Sequence, residues 1–311
     1  MTNGTSTALP VIALMGPTAS GKTGLALELA GHMNCEIISV DSALVYTGMD
    51  IGTAKPTVQE QAQVRHWLID IIDPLQAYSV AEFCRDATRL IGEVHGRGNV
   101  PVLAGGTMMY FNALINGISP LPKSNDDIRD DINREAQTLG WQALHAQLAQ
   151  VDPVSAQRIH PNDPQRLTRA LEVFRSSGRT LTDWQRQKGE VCPYEITQFA
   201  IAPEDRSILH ERIAQRFDLM LEQGFISEVE KLFSRGDLHE DLPSIRSVGY
   251  RQAWQYLNGD LTYAQMRERG IIATRQLAKR QLTWLRGWES LQWLDTFAND
   301  NLAKILAKIA L

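Results

Sequence analysis

Gly16-Pro17-Thr18-Ala19-Ser20-Gly21-Lys22-Thr23 follows the apolar run Val11-Ile12-Ala13-Leu14-Met15 and precedes the helical pattern Leu25-Ala26-Leu27-Glu28-Leu29-Ala30. A strand, a glycine-rich turn and a helix, in that order, form the context a phosphate-binding loop requires. Gly16 and Gly21 permit tight turns that a side chain would hinder. Backbone N–H groups at the positive end of the following helix then converge on phosphate oxygens. Lys22 adds a mobile positive charge, and the Thr23 hydroxyl is placed to hold a magnesium ion. Such a loop points to a diphosphate or triphosphate ligand. It does not choose among kinase, ATPase and transferase.

Working outward, 311 residues suffice for one large domain or two smaller ones. A hydrophobic content of 43% and a charged content of 22% are ordinary for a globular protein. No apolar run approaches the roughly 20 residues that span a membrane. The first nine residues are small and polar, with neither the basic start nor the apolar centre of a signal peptide. They read as a short disordered tail on a cytoplasmic protein. Cys35, Cys84 and Cys192 lie far apart, as buried thiols do in a reducing compartment, and argue against zinc. The histidines, at 32, 66, 95, 145, 160, 210 and 239, make no metal-binding spacing. A net charge of −5 does not advertise nucleic-acid binding, so local patches must decide that question.

The first third alternates between strands, predicted at 11–15, 36–40, 68–71 and 100–103, and helices, predicted at 22–31, 79–97 and 108–115. Ser79 with Glu82 forms a capping-box pattern. This alternation implies a parallel sheet with its ligand site at the C-terminal ends of the strands. Pro120, Pro122 and Ser124 then mark a boundary, and only helices and turns follow to residue 187. Helices are predicted at 126–139, 141–151 and 164–175, the last opened by Pro164. A return strand is expected at 195–201, helices at 208–223, 225–235, 247–257 and 263–288, a last strand at 291–294 and a last helix at 302–311. The expected architecture is an α/β fold: a P-loop NTPase-like core with a parallel sheet, plus an all-helical insertion domain. Its segments are 1–120 and 195–311 for the core and 121–194 for the insertion.

Asp41 opens a second informative stretch, from Asp41 to Pro56, where the second strand ends. In a parallel sheet that places Asp41 on the edge that carries the phosphate loop. A carboxylate there can act as a general base, support a metal, or simply cap a turn. Gly105-Gly106-Thr107 is a further glycine turn at a strand end. Between residues 267 and 286 stand six cations, Arg267, Arg269, Arg275, Lys279, Arg280 and Arg286, against the single acid Glu268. Arg275, Lys279 and Arg286 share one helical face, with Leu277, Trp284 and Trp288 on another that reads as core. The basic face is either a phosphate-binding surface or a solvated one. The run Arg246-Ser247-Val248-Gly249-Tyr250-Arg251 suits approach to a polyanion with base stacking, or equally a helix start with Tyr250 buried.

Together these motifs resemble one family, the tRNA dimethylallyltransferases (tRNA isopentenyltransferases). The carriers are the phosphate loop, the stretch from Asp41 to Pro56, Leu68-Ile69-Asp70-Ile71 and Gly105-Gly106-Thr107. The stretches 163–173, 242–252 and 273–286 complete the set. Two positions depart from the usual family pattern. Ala43 and Leu44 stand where a glutamine is common, and Met108-Met109-Tyr110 replaces Gly-Leu-Tyr. The resemblance implies transfer of a dimethylallyl group from dimethylallyl diphosphate to N6 of the adenosine beside the tRNA anticodon, with Mg2+ as cofactor. It implies a monomer acting on tRNA, with the loop also able to bind nucleotide. Asp41, Lys22, Thr107 and Arg129 are the implied catalytic residues. Implied tRNA contacts are Asp41, Ser42, Ala43, Leu44, Thr107, Arg129, Gln165, Arg166, Leu167, Thr168 and Arg169. They continue with Arg246 to Arg251, and with Lys279, Arg280, Gln281, Leu282, Thr283, Trp284, Leu285 and Arg286. An ATP-dependent small-molecule kinase and a non-catalytic RNA-binding protein are the competing readings.

Overall fold

A computed structural model describes residues 9–187 and 189–309. The predicted polar tail, apart from Leu9, and the last two residues of the predicted C-terminal helix lie outside them. Leu9 itself packs against a hydrophobic core.

The elements run β1 (Val11–Met15), α1 (Lys22–Ala30), β2 (Cys35–Val40), α2 (Val58–Gln63), β3 (His66–Trp67), α3 (Val80–Gly96), β4 (Val100–Gly105) and α4 (Met108–Asn116). Five helices follow: α5 (Asp126–Leu139), α6 (Trp141–Val151), α7 (Pro153–Arg158), α8 (Pro164–Ser177) and α9 (Leu181–Gln185). The chain closes with β5 (Ile196–Ala202), α10 (Arg206–Glu222), α11 (Phe225–Phe233), α12 (Tyr250–Leu257), α13 (Tyr263–Arg286), β6 (Gln292–Asp295) and α14 (Asn301–Ile309).

Among the described residues the strands form one parallel sheet in the order β3-β2-β4-β1-β5-β6. The central strand β1 is fully buried over all five residues. That is why it reads as an unbroken apolar run: a central parallel strand is covered on both faces. β1 leads through α1 toward β2 on one side, and β5 leads toward β6 on the other. Connections that leave in opposite directions open a crevice at the C-terminal ends of the strands.

The chain divides into two compact units: one runs up to Ile115 and resumes at Cys192, and the other is Asn116–Val191. The second unit is helical, α5 to α9, around a core that includes Ile132, Leu144, Leu148, Leu167 and Leu171. Trp141 and Trp184 pack against that core. Its α8 starts as the sequence predicts, with Asp163 accepting the Arg166 N–H at 3.2 Å and Pro164 in the first turn. The capping box of α3 also forms, with Ser79 Oγ accepting from the Glu82 N–H and Glu82 Oε2 from the Ser79 N–H.

The structure corrects three local expectations. The predicted strand at 68–71 is absent, and β3 ends at Trp67. Leu68 and Asp70 have φ of 62° and 55°, in the left-handed region no strand uses. This turn hangs on the preceding loop: the Asp70 N–H donates to Leu44 O, the Ile71 N–H to Val45 O, and Lys55 pairs with Asp70. The short helices α2, α7 and α9 were not predicted, because five or six residues carry too little periodicity to read. In α13 the core face is Ile271, Ala278, Leu282 and Leu285, whereas Trp284, read as core, is 46% exposed.

Candidate active site

The phosphate loop between β1 and α1 is shaped by strain-tolerant positions and by side chains from the far end of the chain. Gly21, at φ 92°, caps α1 in the left-handed conformation that glycine adopts without steric cost. Arg212 of α10 donates from Nε to Ala19 O at 2.9 Å. Thr296, after β6, donates from Oγ1 to Ser20 O at 2.9 Å. The Thr18 N–H is accepted by Gln281 Oε1 of α13 at 2.9 Å. The loop is therefore ordered by the protein itself, with the N-terminus of α1 facing a cleft.

That cleft has a volume of about 1070 Å³. Residues 18–23 of the loop, Asp41, Ser42, Ala43 and Leu44, and Gly105, Gly106 and Thr107 line it together. Thr23 is exposed to it. Lys22 Nζ donates to Pro17 O at 2.7 Å. Burial brings its ammonium down to about 7, against the pull of the Asp41 carboxylate and with the push of Arg216. Arg216, on α10, is lowered by burial and raised by Asp41. Asp41 therefore stands within electrostatic reach of two cations, Lys22 and Arg216. Its Oδ1 accepts the Ala43 N–H at 2.8 Å, and Thr107 Oγ1 accepts the Ser42 N–H at 3.0 Å.

Arg212 and Arg216 were missed by sequence reasoning. They are one helical turn apart on α10, so both meet the loop face. The only signal in the sequence was that spacing, in a helix with no recognised motif.

The other predicted residues divide. Arg246, Ser247, Val248, Arg280 and Trp284 line the cleft. Lys279, Thr283 and Arg286 are exposed on α13, and Arg251 is exposed on α12. Arg275 is half-buried and donates to His210 O at 3.3 Å. Leu282 and Leu285 are core residues, so their implied contact with tRNA is corrected by burial. Tyr250 is fully buried, which decides against base stacking by that ring; Gly249, at φ 92°, is the N-cap of α12. In the helical unit, Gln165 and Arg166 are exposed, whereas Leu167 and Thr168 are buried. Arg129 and Arg169 are turned onto the fully buried Glu172, at 3.2 and 2.9 Å. Burial pushes the Glu172 carboxyl up, but the Asn125 N–H, Arg169, Ser124 and Arg129 outweigh it and hold the group below its ordinary range.

One acid outside every motif shapes the site. Glu228 of α11 accepts the N–H groups of Asp50, Ile51 and Gly52 at 2.8, 2.7 and 3.1 Å, and the Tyr250 hydroxyl at 2.5 Å. It thereby joins the Asp41–Pro56 stretch to the start of α12. Replacement by alanine leaves three N–H donors and a buried phenol without their acceptor. Glu228→Ala should lower the unfolding free energy by about 2–4 kcal/mol, more than Tyr250→Phe at about 1 kcal/mol. Urea denaturation of the three proteins checks the order. Equal midpoints for wild type and Glu228→Ala would remove Glu228 from this role.

Among the described residues no cluster of histidine, cysteine or acid side chains could hold a metal ion by itself. No described helix is long and apolar enough to cross a membrane.

A parallel sheet with a cationic, glycine-lined cleft at the end of its first strand defines an α/β protein with a P-loop-like core. The chain belongs to the IPP transferase family, whose profile matches residues 44–288. It is 39% identical to the full-length tRNA isopentenylpyrophosphate transferase of Bacillus halodurans, with 97% of this chain and 95% of that chain covered and a TM-score of 0.71. It is 34% identical to the tRNA delta(2)-isopentenylpyrophosphate transferase of Staphylococcus epidermidis, with 96% and 97% covered and a TM-score of 0.67. A eukaryotic dimethylallyltransferase acting on tRNA is 26% identical, with 96% and 77% covered and a TM-score of 0.79. Family membership leaves the small-molecule kinase reading without support.

Proposed function

We propose that this protein transfers the dimethylallyl group of dimethylallyl diphosphate to N6 of the adenosine adjacent to the anticodon in tRNA. The observation that carries this reading is a single cleft in which the phosphate loop, Arg216, Asp41 and Thr107 meet apolar and cationic side chains. The donor diphosphate lies on the N–H groups at the start of α1 and between Lys22 and Arg216, which neutralise the charge that grows on the leaving group. Met109, Leu219 and Trp284, about half exposed and lining the same cleft, supply an apolar wall suited to the prenyl chain.

Transfer forms the bond from N6 to the prenyl carbon and breaks that carbon's bond to the diphosphate oxygen. The proton displaced from N6 passes to Asp41. An adenine amine is a weak nucleophile, so an adjacent acceptor for that proton lowers the barrier. The base must leave its stack to reach the cleft. Among the cleft's oxygen donors the Thr23 hydroxyl fits Mg2+, which takes few protein ligands and completes its shell with water and phosphate. Bound there, it would add charge stabilisation for the diphosphate. Incubation with dimethylallyl diphosphate, magnesium and unmodified tRNA, followed by nucleoside analysis, tests the reading. Absence of N6-isopentenyladenosine would overturn it.

The exposed cations of α13 belong to the same reading, as partners of tRNA phosphates. Lys279→Glu should weaken tRNA binding and lower the log–log salt slope by about 0.7–0.9, the share of one neutralised phosphate, while dimethylallyl diphosphate binding changes little. On a merely solvated face the change would move stability by about 0.5 kcal/mol and leave RNA binding alone. Filter-binding titrations at several salt concentrations decide between the two.

A further inference from the structure

Gln281 lies on α13 between Arg280 and Leu282, in the segment whose resemblance implies contact with tRNA. Its side chain is 8% exposed, and both ends of its amide are used inside the protein. Oε1 accepts the Thr18 N–H at 2.9 Å, and Nε2 donates to Gly106 O at 2.8 Å. The first partner belongs to the phosphate loop that follows β1. The second belongs to the glycine turn that follows β4. A side chain at position 106 would meet Gln281 Nε2 at 2.5 Å, so the approach depends on the glycine there.

The chain of hydrogen bonds continues beyond the turn. Thr107 Oγ1 accepts the Ser42 N–H, and the neighbouring Asp41 is braced by the Ala43 N–H. An unbroken path thus runs from the backbone of the phosphate loop, through one side chain, to the segment that carries Asp41. Only a neutral amide of this length satisfies both partners. A carboxylate would face the Gly106 carbonyl, and an ammonium would face the Thr18 N–H. An amide held at both ends and only 8% exposed is poorly placed to bond a polyanion at the surface.

We propose that Gln281 is a positioning residue: it sets the phosphate loop against the Gly-Gly-Thr turn, so that the donor diphosphate and Asp41 keep one relative position. This rests on the transferase reading given above. It differs from the role the resemblance implies, since the residue acts through the loop and the turn and does not touch RNA. A displacement of about 1 Å between reacting groups costs about 100-fold in rate, so removal of this tie should show mainly in the chemical step.

Gln281→Met keeps the length and bulk of the side chain and removes both hydrogen bonds. The expected result is a kcat for prenyl transfer lowered about 10–100-fold. Inorganic diphosphate should bind several-fold more weakly, while the tRNA Kd and its salt dependence stay at wild-type values. A tRNA contact would give the opposite split: a raised tRNA Kd, with unchanged diphosphate binding and unchanged kcat at saturating tRNA. That split overturns the proposal. So does a lowered Tm with wild-type kcat measured well below it, the signature of a merely structural residue.

If Gln281→Met does not fold, Gln281→Glu, which keeps the acceptor for Thr18 and removes the donor to Gly106, is read in the same way. The wild type offers a measurement that needs no variant. The Thr18 amide should be protected from hydrogen exchange before any ligand is added, and rapid exchange overturns the proposal. The two readings fail separately. A wild type that makes no prenylated tRNA overturns the transferase reading. A wild type that works normally beside an equally active Gln281→Met overturns only the positioning role.

Discussion

Replacing Asp41 with alanine should lower prenyl transfer by about 10²–10⁴-fold, the usual contribution of a positioned general base. Its placement motivates the expectation. Asp41 follows directly on β2, beside the phosphate loop, and its side chain is steadied by the Ala43 N–H at 2.8 Å. It also stands within electrostatic reach of Lys22 and Arg216. The substitution removes the acceptor for the N6 proton but none of the exposed cations on α13, so tRNA affinity should change far less than turnover. Asp41→Asn is the sharper comparison, because it keeps the shape and the hydrogen bond to Ala43 and removes only the basic oxygen. Single-turnover transfer with both substrates saturating isolates the chemical step. A rate within a few-fold of wild type for Asp41→Asn would exclude Asp41 as the base.

The second large effect concerns the charges that receive the diphosphate. Arg216→Ala should weaken binding of dimethylallyl diphosphate by about 10–100-fold, or about 1.4–2.8 kcal/mol. Lys22→Ala should do at least as much. The pH dependence gives an independent reading. In the free protein the Lys22 ammonium is brought down to about 7 by burial, with Asp41 opposing and Arg216 adding to the shift. A bound diphosphate favours the protonated amine, so its pKa rises in the complex.

The sign of the linkage follows. Below pH 7 the amine already carries its proton, and binding takes up none there. Above pH 7 the free protein has lost that proton, and each binding event must recover it from solvent. Donor affinity should therefore fall as pH rises from 7 to 9, with proton uptake approaching one. Isothermal titration in buffers of different ionisation enthalpy measures that uptake, which should vanish in Lys22→Ala. In Arg216→Ala the pH at which uptake sets in should move upward, because one of the charges depressing Lys22 is gone. Binding of equal strength at pH 7 and pH 9 in the wild type would refute the assignment of Lys22 to the donor.

Local rules make much of this protein legible in its chain. The loop from Gly16 to Thr23 dictates strand, turn and helix through spacing and backbone freedom alone; β1 occupies the predicted residues and α1 starts where predicted and ends one residue short, at Ala30. An apolar run is what a strand covered on both faces must be, and capping residues mark where α3 and α8 begin. The stretch after Asp41 is long and distinctive enough to carry the family resemblance, and with it the expected chemistry. All of these signals lie within a dozen or so consecutive residues.

What the sequence left open depends on partners distant along the chain. The Leu68-Ile69-Asp70-Ile71 stretch has the composition of a strand, yet it turns because Leu44, Val45 and Lys55 claim its hydrogen bonds and its charge. Tyr250 suits stacking on a base, yet packing against Phe225 and its bond to Glu228 bury it. Arg212 and Arg216 carry no motif and become part of the cleft only because α10 packs beside a loop almost 200 residues earlier. Gln281 stands in a basic run that suggests RNA, and only the fold brings Thr18 and Gly106 to the two ends of its amide. Periodicity tells which side of a helix is apolar, but not which neighbour that side will meet. The assignment of a polar side chain to solvent, substrate or scaffold is settled by desolvation and by the donors and acceptors within about 3 Å, which tertiary structure alone supplies.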